Sequence, residues 1–309
     1  LPASALTPPL VLTFAPSDPS GGGGIQADLL TCASMGCQAL TVLTGLTVQD
    51  SAGIEDSQEV DPEWIDDQAR SLLEDMPVRA FKIGGMFSPE AVSTIAEILA
   101  DYSAIPVVLH LGSDPLETQD AEAEDSAEEI LSAALELLVP QATLVVVDAM
   151  RLRQWVADGL LELESSSESG VQALLRLGAG WVLTTGLHLG GENVVNTLTG
   201  AGESPSDVIE VEYRWIRLPG NYRGAGNTLS AALAAMMAGG VEAPDAAAEA
   251  QEYTWQALSA GFQPGMGRIL PDRFFWARQP DRDGGHPSTI GEDTVSGAAL
   301  DPARGGLSS

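Results

Sequence analysis

Positive charge is what this chain lacks most. Lys82 is its only lysine, and lysine plus arginine total 14 against 44 acidic residues, a formal net charge of −30 over 309 residues. Such a surface repels nucleic acid and anionic membranes, so neither is expected as a partner. It also suits a salt-rich cytoplasm, where screening relieves self-repulsion, or a genome that disfavours lysine codons; both readings stay open. Cysteine is nearly absent too. Cys32 and Cys37 lie on a segment read as helix followed by strand, a geometry unsuited to a disulfide, and are expected to be small buried thiols. Three scattered histidines provide neither a Cys/His metal cluster nor a legible Ser-His-Asp arrangement. No apolar run reaches the length of a membrane span, and the opening "LPASALTPPLVLTF" lacks a basic signal-peptide start. A cytoplasmic protein is expected.

What is present is a core and an alternating pattern. Hydrophobic residues make up 44% of the chain, enough for one large α/β domain or two modest ones. Short apolar strands are predicted at Pro9 to Phe14, "QALTVLTGLTV", Val78 to Gly84, Pro106 to Leu111, Leu144 to Ala149 and Trp181 to Gly186. Amphipathic helices are predicted from Ile25 to Met35 and at 62–75, 88–101, 125–138 and 168–177. Strands alternating with helices argue a mostly parallel sheet covered on both faces, with ligands beyond the carboxyl ends of the strands. The run from "NVVNTLTG" to "IEVEYRWIRLPG" suits antiparallel edge strands, and helices are predicted from Thr228 to Gly239 and Ala243 to Gly261. The polar, aperiodic stretch 279–309 reads as a disordered tail, and the charge run from Gly112 as a solvated loop leading into an acidic helical turn.

Two glycine-rich loops stand before helices. "SDPSGGGGIQADL", from Ser17 to Leu29, lets backbone approach a ligand closely, although such turns also form for steric reasons alone. "RGAGNTLSAAL", from Arg223 to Leu233, leads into a helix whose Leu229, Leu233, Met236 and Met237 mark a buried face. Its first-turn N–H groups suit charge developing on a transferred phosphoryl group. The bland alternative is a tight turn with Asn227 or Thr228 as helix cap.

These loops, with "LTVQDSAGI", "FKIG", "TTGLH" and the C-terminal "EAQEYTWQALSAGFQPGMGRILPDRFFWAR", resemble in order the hydroxymethylpyrimidine/phosphomethylpyrimidine kinases of thiamine biosynthesis. Those kinases are members of the ribokinase-like superfamily. The resemblance covers 8–278 and implies one three-layer αβα kinase domain with a mostly parallel central sheet, forming a homodimer. It implies Mg2+ and ATP, and phosphorylation of the hydroxymethylpyrimidine and then of its monophosphate. By the same resemblance Asp18, Gly21 and Gly22 belong to the substrate-side loop. Gln49 hydrogen-bonds the aminopyrimidine, though it could simply end a strand, and Gly224, Ala225 and Gly226 form the anion hole. Pyridoxal-type alcohols are the runner-up substrates.

The pattern also departs from the family. Asn227 stands where a cysteine, or an aspartate in the wider superfamily, accepts a proton or positions the nucleophile. His110 takes the place of an aspartate near the metal and phosphates. Asp148 and Arg151 replace the asparagine and glutamate that organise Mg-ATP, and Pro16 replaces a glycine. Each change is harmless on its own terms if His110 packs neutral, Arg151 pairs with a carboxylate and Asn227 caps. Together they raise the alternative of a catalytically impaired homologue that keeps the pyrimidine pocket for regulation. Whether the chain itself holds a metal is not legible.

Overall fold

The computed structural model describes residues 7–112, 121–188, 192–202 and 208–278. The expected tail at 279–309 lies outside them, as do residues 113–120 of the acidic segment. The chain divides into two units, Leu1–Phe275 and Trp276–Ser309, and everything below concerns the first.

The elements alternate as the periodicity predicts. The first half carries β1 (Leu10–Ser17), α1 (Gly24–Ser34), β2 (Gln38–Gln49), β3 (Ile54–Glu59), α2 (Pro62–Asp75), β4 (Val78–Ile83), α3 (Pro89–Asp101) and β5 (Val107–Leu111). Then follow α4 (Ala121–Leu137), β6 (Leu144–Asp148), α5 (Ala149–Ala157), α6 (Gly170–Arg176), β7 (Trp181–His188), β8 (Asn193–Ala201), β9 (Val208–Ile216), α7 (Ala225–Ala238) and α8 (Ala243–Ser259). Among the described residues the strands form one sheet in the order β3-β2-β1-β4-β5-β6-β7-β8-β9. The stretch from β2 to β7 is parallel, whereas β3, β8 and β9 run antiparallel to their neighbours.

Side-chain alternation along the strands feeds two cores. Leu12, Phe14, Leu109, Val145 and Val147 point into the one under α2 to α6. Val11, Ala80, Val108, Leu144 and Val146 point into the other, under α1, α7 and α8. The result is the three-layer αβα architecture. Strand order reverses between β1 and β4, so the loops leaving those two strands part and open a crevice at their carboxyl ends.

Three differences from the sequence reading have physical causes. Strand β3, "IEDSQE", carries one apolar residue and no strand signature; it exists because β2 runs on to Gln49 and offers it an open edge. Helix α5 follows β6 directly, its first turn capped by Asp148. Helix α7 begins at Ala225, three residues before the predicted start, because Gly224 takes a left-handed φ of 81° and turns the chain straight into the helix. Pro16 causes no break. The pairing of β1 with β2 shifts register between Ala15 and Ser17, and an irregularity of this kind is where a strand tolerates a residue without an N–H.

The chain's one lysine lies inside. Lys82 on β4 and Asp28 on α1 are both fully buried and form an ion pair at 2.9 Å. Asp28 Oδ1 has no hydrogen-bond partner among the described residues. Burial pushes the Asp28 carboxyl up, and the Lys82 ammonium opposes that rise. Cys32 and Cys37 are free and buried, as expected.

Candidate active site

A cavity of about 960 Å3 opens at the reversal point. It is large enough for a small alcohol and the phosphates of a nucleotide together. Asp18, Gln49, His110, Arg151, Gly224 and Asn227 all line it, gathered from five separate stretches of sequence.

Asp18 is 2% exposed and organises the first glycine loop. Its Oδ1 accepts from the Ser20 N–H at 2.8 Å and the Ser20 hydroxyl at 2.6 Å, and its Oδ2 accepts from the Gly23 N–H at 2.6 Å. Gly23 and Gly24 face the cavity, whereas Gly21 and Gly22 are not among the described residues that line it. Gly24 is required where it stands, because its φ is +57° and a Cβ would overlap the Pro16 carbonyl oxygen.

Gln49 ends β2 beside Arg223. The guanidinium Nη2 donates to Gln49 Oε1 at 2.5 Å, and Arg223 Nε lies 3.7 Å from Asp18 Oδ2. A guanidinium only donates, so the Gln49 carbonyl oxygen must face Arg223 and its NH2 group is turned away as a donor. Arg223, 5% exposed, was not singled out from the sequence, although it opens the second glycine loop in a chain so poor in positive charge. Phe87 also went unremarked. It lines the cavity and packs so closely on β2 that a Cβ at Gly45 would lie 2.6 Å from its ring.

Asn227 lies in the first turn of α7 and is not its cap. The cap is Gly224, which has no side chain, and the turn contains no acidic residue. Thr228 N–H donates to the Gly224 carbonyl at 2.9 Å, the first intrahelical bond. The N–H groups of Ala225, Gly226 and Asn227 precede it, at the positive end of the helix. The two loops touch, since a Cβ at Gly224 would overlap the Gly22 carbonyl oxygen.

His110 points from β5 toward this turn, and a Cβ at Gly226 would lie 2.5 Å from its Nε2. Burial, followed by the nearby Lys82 charge, lowers the imidazole from its ordinary 6.5 to about 3. It is therefore neutral at physiological pH and cannot replace a carboxylate's charge. Asp148 does not reach the cavity in this way; its Oδ1 accepts from the N–H groups of Met150 and Arg151 and caps α5. Arg151 lines the cavity and makes no ion pair among the described residues. No group of three or more His, Cys, Asp or Glu side chains suited to a metal occurs among the described residues. Mg2+ is usually held by one or two carboxylates together with substrate phosphates, an arrangement that needs no such group. No described helix is long and apolar enough to cross a membrane.

Comparison with known proteins gives the family and the fold. The family model for phosphomethylpyrimidine kinase matches residues 18–272. The hydroxymethylpyrimidine/phosphomethylpyrimidine kinase of Streptomyces coelicolor is 35% identical over 280 residues, 89% of this chain and 98% of that protein. The Escherichia coli protein of the same name is 30% identical, over 80% of this chain and 90% of its own. Among solved structures, Bacillus subtilis pyridoxal kinase in an ADP complex superposes with a TM-score of 0.72 at 26% identity, covering 87% of this chain and 99% of that one. Phosphomethylpyrimidine kinase from Clostridium difficile gives 0.62 at 28% identity, covering 80% and 98%. With the matched model covering every strand but β1, both glycine loops and most of the cavity between them, the chain belongs to the phosphomethylpyrimidine kinase family.

Proposed function

We propose that the protein is an ATP-dependent kinase. It transfers a phosphoryl group to the hydroxymethyl of 4-amino-5-hydroxymethyl-2-methylpyrimidine and to the resulting monophosphate, supplying thiamine diphosphate synthesis. The observation that carries this reading is the open first turn of α7, facing the same cavity as Gln49, Asp18 and Phe87.

In this reading the pyrimidine ring lies against Phe87, and the Gln49 NH2 donates to a ring nitrogen. Its hydroxymethyl group faces Asn227, which orients the attacking oxygen by hydrogen bonding and takes no proton; the hydroxyl proton passes to a phosphate oxygen or to water as the ester bond forms and ADP leaves. The N–H groups of Ala225, Gly226 and Asn227 stabilise the transferring phosphoryl group, and transfer of this kind depends mainly on positioning and charge neutralisation. Arg151 offsets nucleotide charge from the cavity wall. Mg2+ arrives as part of the co-substrate Mg-ATP. The ADP complex of the B. subtilis relative supports a nucleotide in this fold. A homodimer in the cytoplasm completes the proposal, with no nucleic-acid or membrane partner for so acidic a surface. The impaired-homologue alternative has no support in the comparisons.

The test is phosphate transfer from Mg-ATP in high salt, with the alcohol, its monophosphate and pyridoxal compared as acceptors by mass spectrometry. The expected result is conversion of both pyrimidines with higher kcat/KM than pyridoxal. Pyrimidine binding without any transfer would overturn the kinase reading, and a preference for pyridoxal would overturn the substrate.

A further inference from the structure

A second arginine that the sequence reading passed over sits behind the two glycine loops. Arg273 follows α8 and is 3% exposed, an unusual place for a guanidinium. Its three donor groups go to three separate places. Nη1 donates to the Gly21 carbonyl at 3.0 Å, Nη2 to the Gly22 carbonyl at 2.7 Å, and Nε to the Thr228 hydroxyl at 3.1 Å. The Thr228 hydroxyl donates in turn to the Gly224 carbonyl at 2.8 Å. One planar fork thus joins the loop before α1 to the first turn of α7, where their backbones already touch.

The fork is itself held from behind. The Arg273 carbonyl accepts from Ser34 on α1 at 2.5 Å and from the Tyr253 hydroxyl on α8 at 2.8 Å. The Asp272 N–H donates to the Ala257 carbonyl, also on α8, at 2.9 Å. Carbonyl and hydroxyl oxygens, not carboxylates, take the guanidinium's hydrogen bonds. A buried cation whose hydrogen bonds all go to uncharged oxygens is costly as a stability device. Its geometry suits another job, because a rigid fork fixes the spacing of the groups it bridges far better than a flexible ammonium does.

We infer that Arg273 is a positioning residue: it sets the gap between the Gly21–Gly22 backbone and the first turn of α7, and with it the placement of the acceptor alcohol against the anion seat. This rests on the kinase reading above. It assigns a role to the C-terminal segment that touches neither substrate nor reacting atoms.

The experiment compares wild type with Arg273→Met and Arg273→Lys. Leu138→Ala, which empties a fully buried position in the opposite core, serves as the stability control. For each, kcat, the KM for alcohol and ATP, the melting temperature and amide hydrogen exchange are measured. Misplacing reacting groups by about an ångström costs on the order of 100-fold in rate. Arg273→Met should therefore lose about 100-fold in kcat with both KM values within about threefold, and exchange should quicken at 18–24 and 223–230. Arg273→Lys keeps the charge but not the fork, and should recover less than about tenfold of that loss. The inference is overturned if the Arg273 variants lose no more kcat than Leu138→Ala, assayed well below both melting temperatures. It is also overturned if lysine restores full rate, or if faster exchange spreads over the whole sheet. Should Arg273→Met fail to fold, the lysine variant decides. An inactive wild type would refute the kinase reading alone, and the exchange pattern would still judge whether Arg273 fixes the loops.

Discussion

Helices α1 and α7 both begin at glycine-rich loops and pack side by side on one face of the sheet, yet their N-termini differ in charge. At α1 the capping residue Gly23 donates its N–H to a carboxylate of the protein itself, Asp18. At α7 the cap is a bare glycine with no acid in the turn. The first positive end is answered from within, and the second is left for something brought from outside. A chain with 44 acidic residues could easily have placed one at α7, so the open turn is what marks the proposed anion seat. The helices also differ in how they are held: α1 by the buried Lys82–Asp28 pair, α7 by Leu229, Leu233, Met237 and a run of alanines.

Four measurements sharpen or break this comparison. The largest effect is expected at the α1 anchor. Lys82→Met leaves Asp28 buried without a counter-charge and should cost about 3–5 kcal/mol in urea unfolding, much of it regained by adding Asp28→Leu. An unchanged midpoint would mean that α1 is held by packing, as α7 is. Next comes the α7 turn, where Gly226→Ala drives a methyl group against the His110 ring. A fall of about 100-fold in kcat is expected, comparable to losing one donor of an oxyanion hole. His110→Ala in the same chain should restore part of it, and full activity in the single variant would move the anion seat elsewhere.

Third is the pH response of His110. Its folded pKa of about 3 lies below the ordinary 6.5, so the unfolded chain takes up a proton that the folded chain refuses. Stability is full above about pH 6.5 and falls as pH drops toward 3, by at most about 2 kcal/mol between pH 6.5 and 5. Thermal melts of His110→Asn should show a correspondingly shallower acid loss, and parallel curves would show that this imidazole does not titrate as placed. The smallest effect concerns ligand binding. Gln49→Ala should raise the KM for the pyrimidine about tenfold with kcat nearly unchanged, since it removes one hydrogen bond made equally before and during reaction. A drop in kcat instead would place Gln49 among the groups that tighten in the transition state.

Strand and helix periodicity foretold the parallel sheet because β1, β4, β5 and β6 are buried on both faces and are therefore mostly apolar. The antiparallel edge was legible because β9 alternates Ile209, Val211, Tyr213 and Trp215 with charged residues. Strand β3 was hidden because its residues are polar and only its partner makes it a strand. The early start of α7 was hidden because the left-handed turn at Gly224 depends on the Gly22 backbone pressed against it. Asp18, Gln49 and Asn227 stand out by motif and do line the cavity, whereas Arg223 and Arg273 lie inside quoted stretches in which only burial sets them apart.

By itself, then, the sequence determined the layered α/β fold, the two glycine loops and the family, because these follow from local periodicity and from short stretches of chain whose chemistry is their own. Only the tertiary structure decided that α7 is left uncapped, that His110 is neutral, that Asp148 is spent on α5, and that two buried arginines hold the loops. Each of those depends on what lies a few ångströms away in space but far away along the chain, and hydrogen bonding and desolvation act on that distance alone.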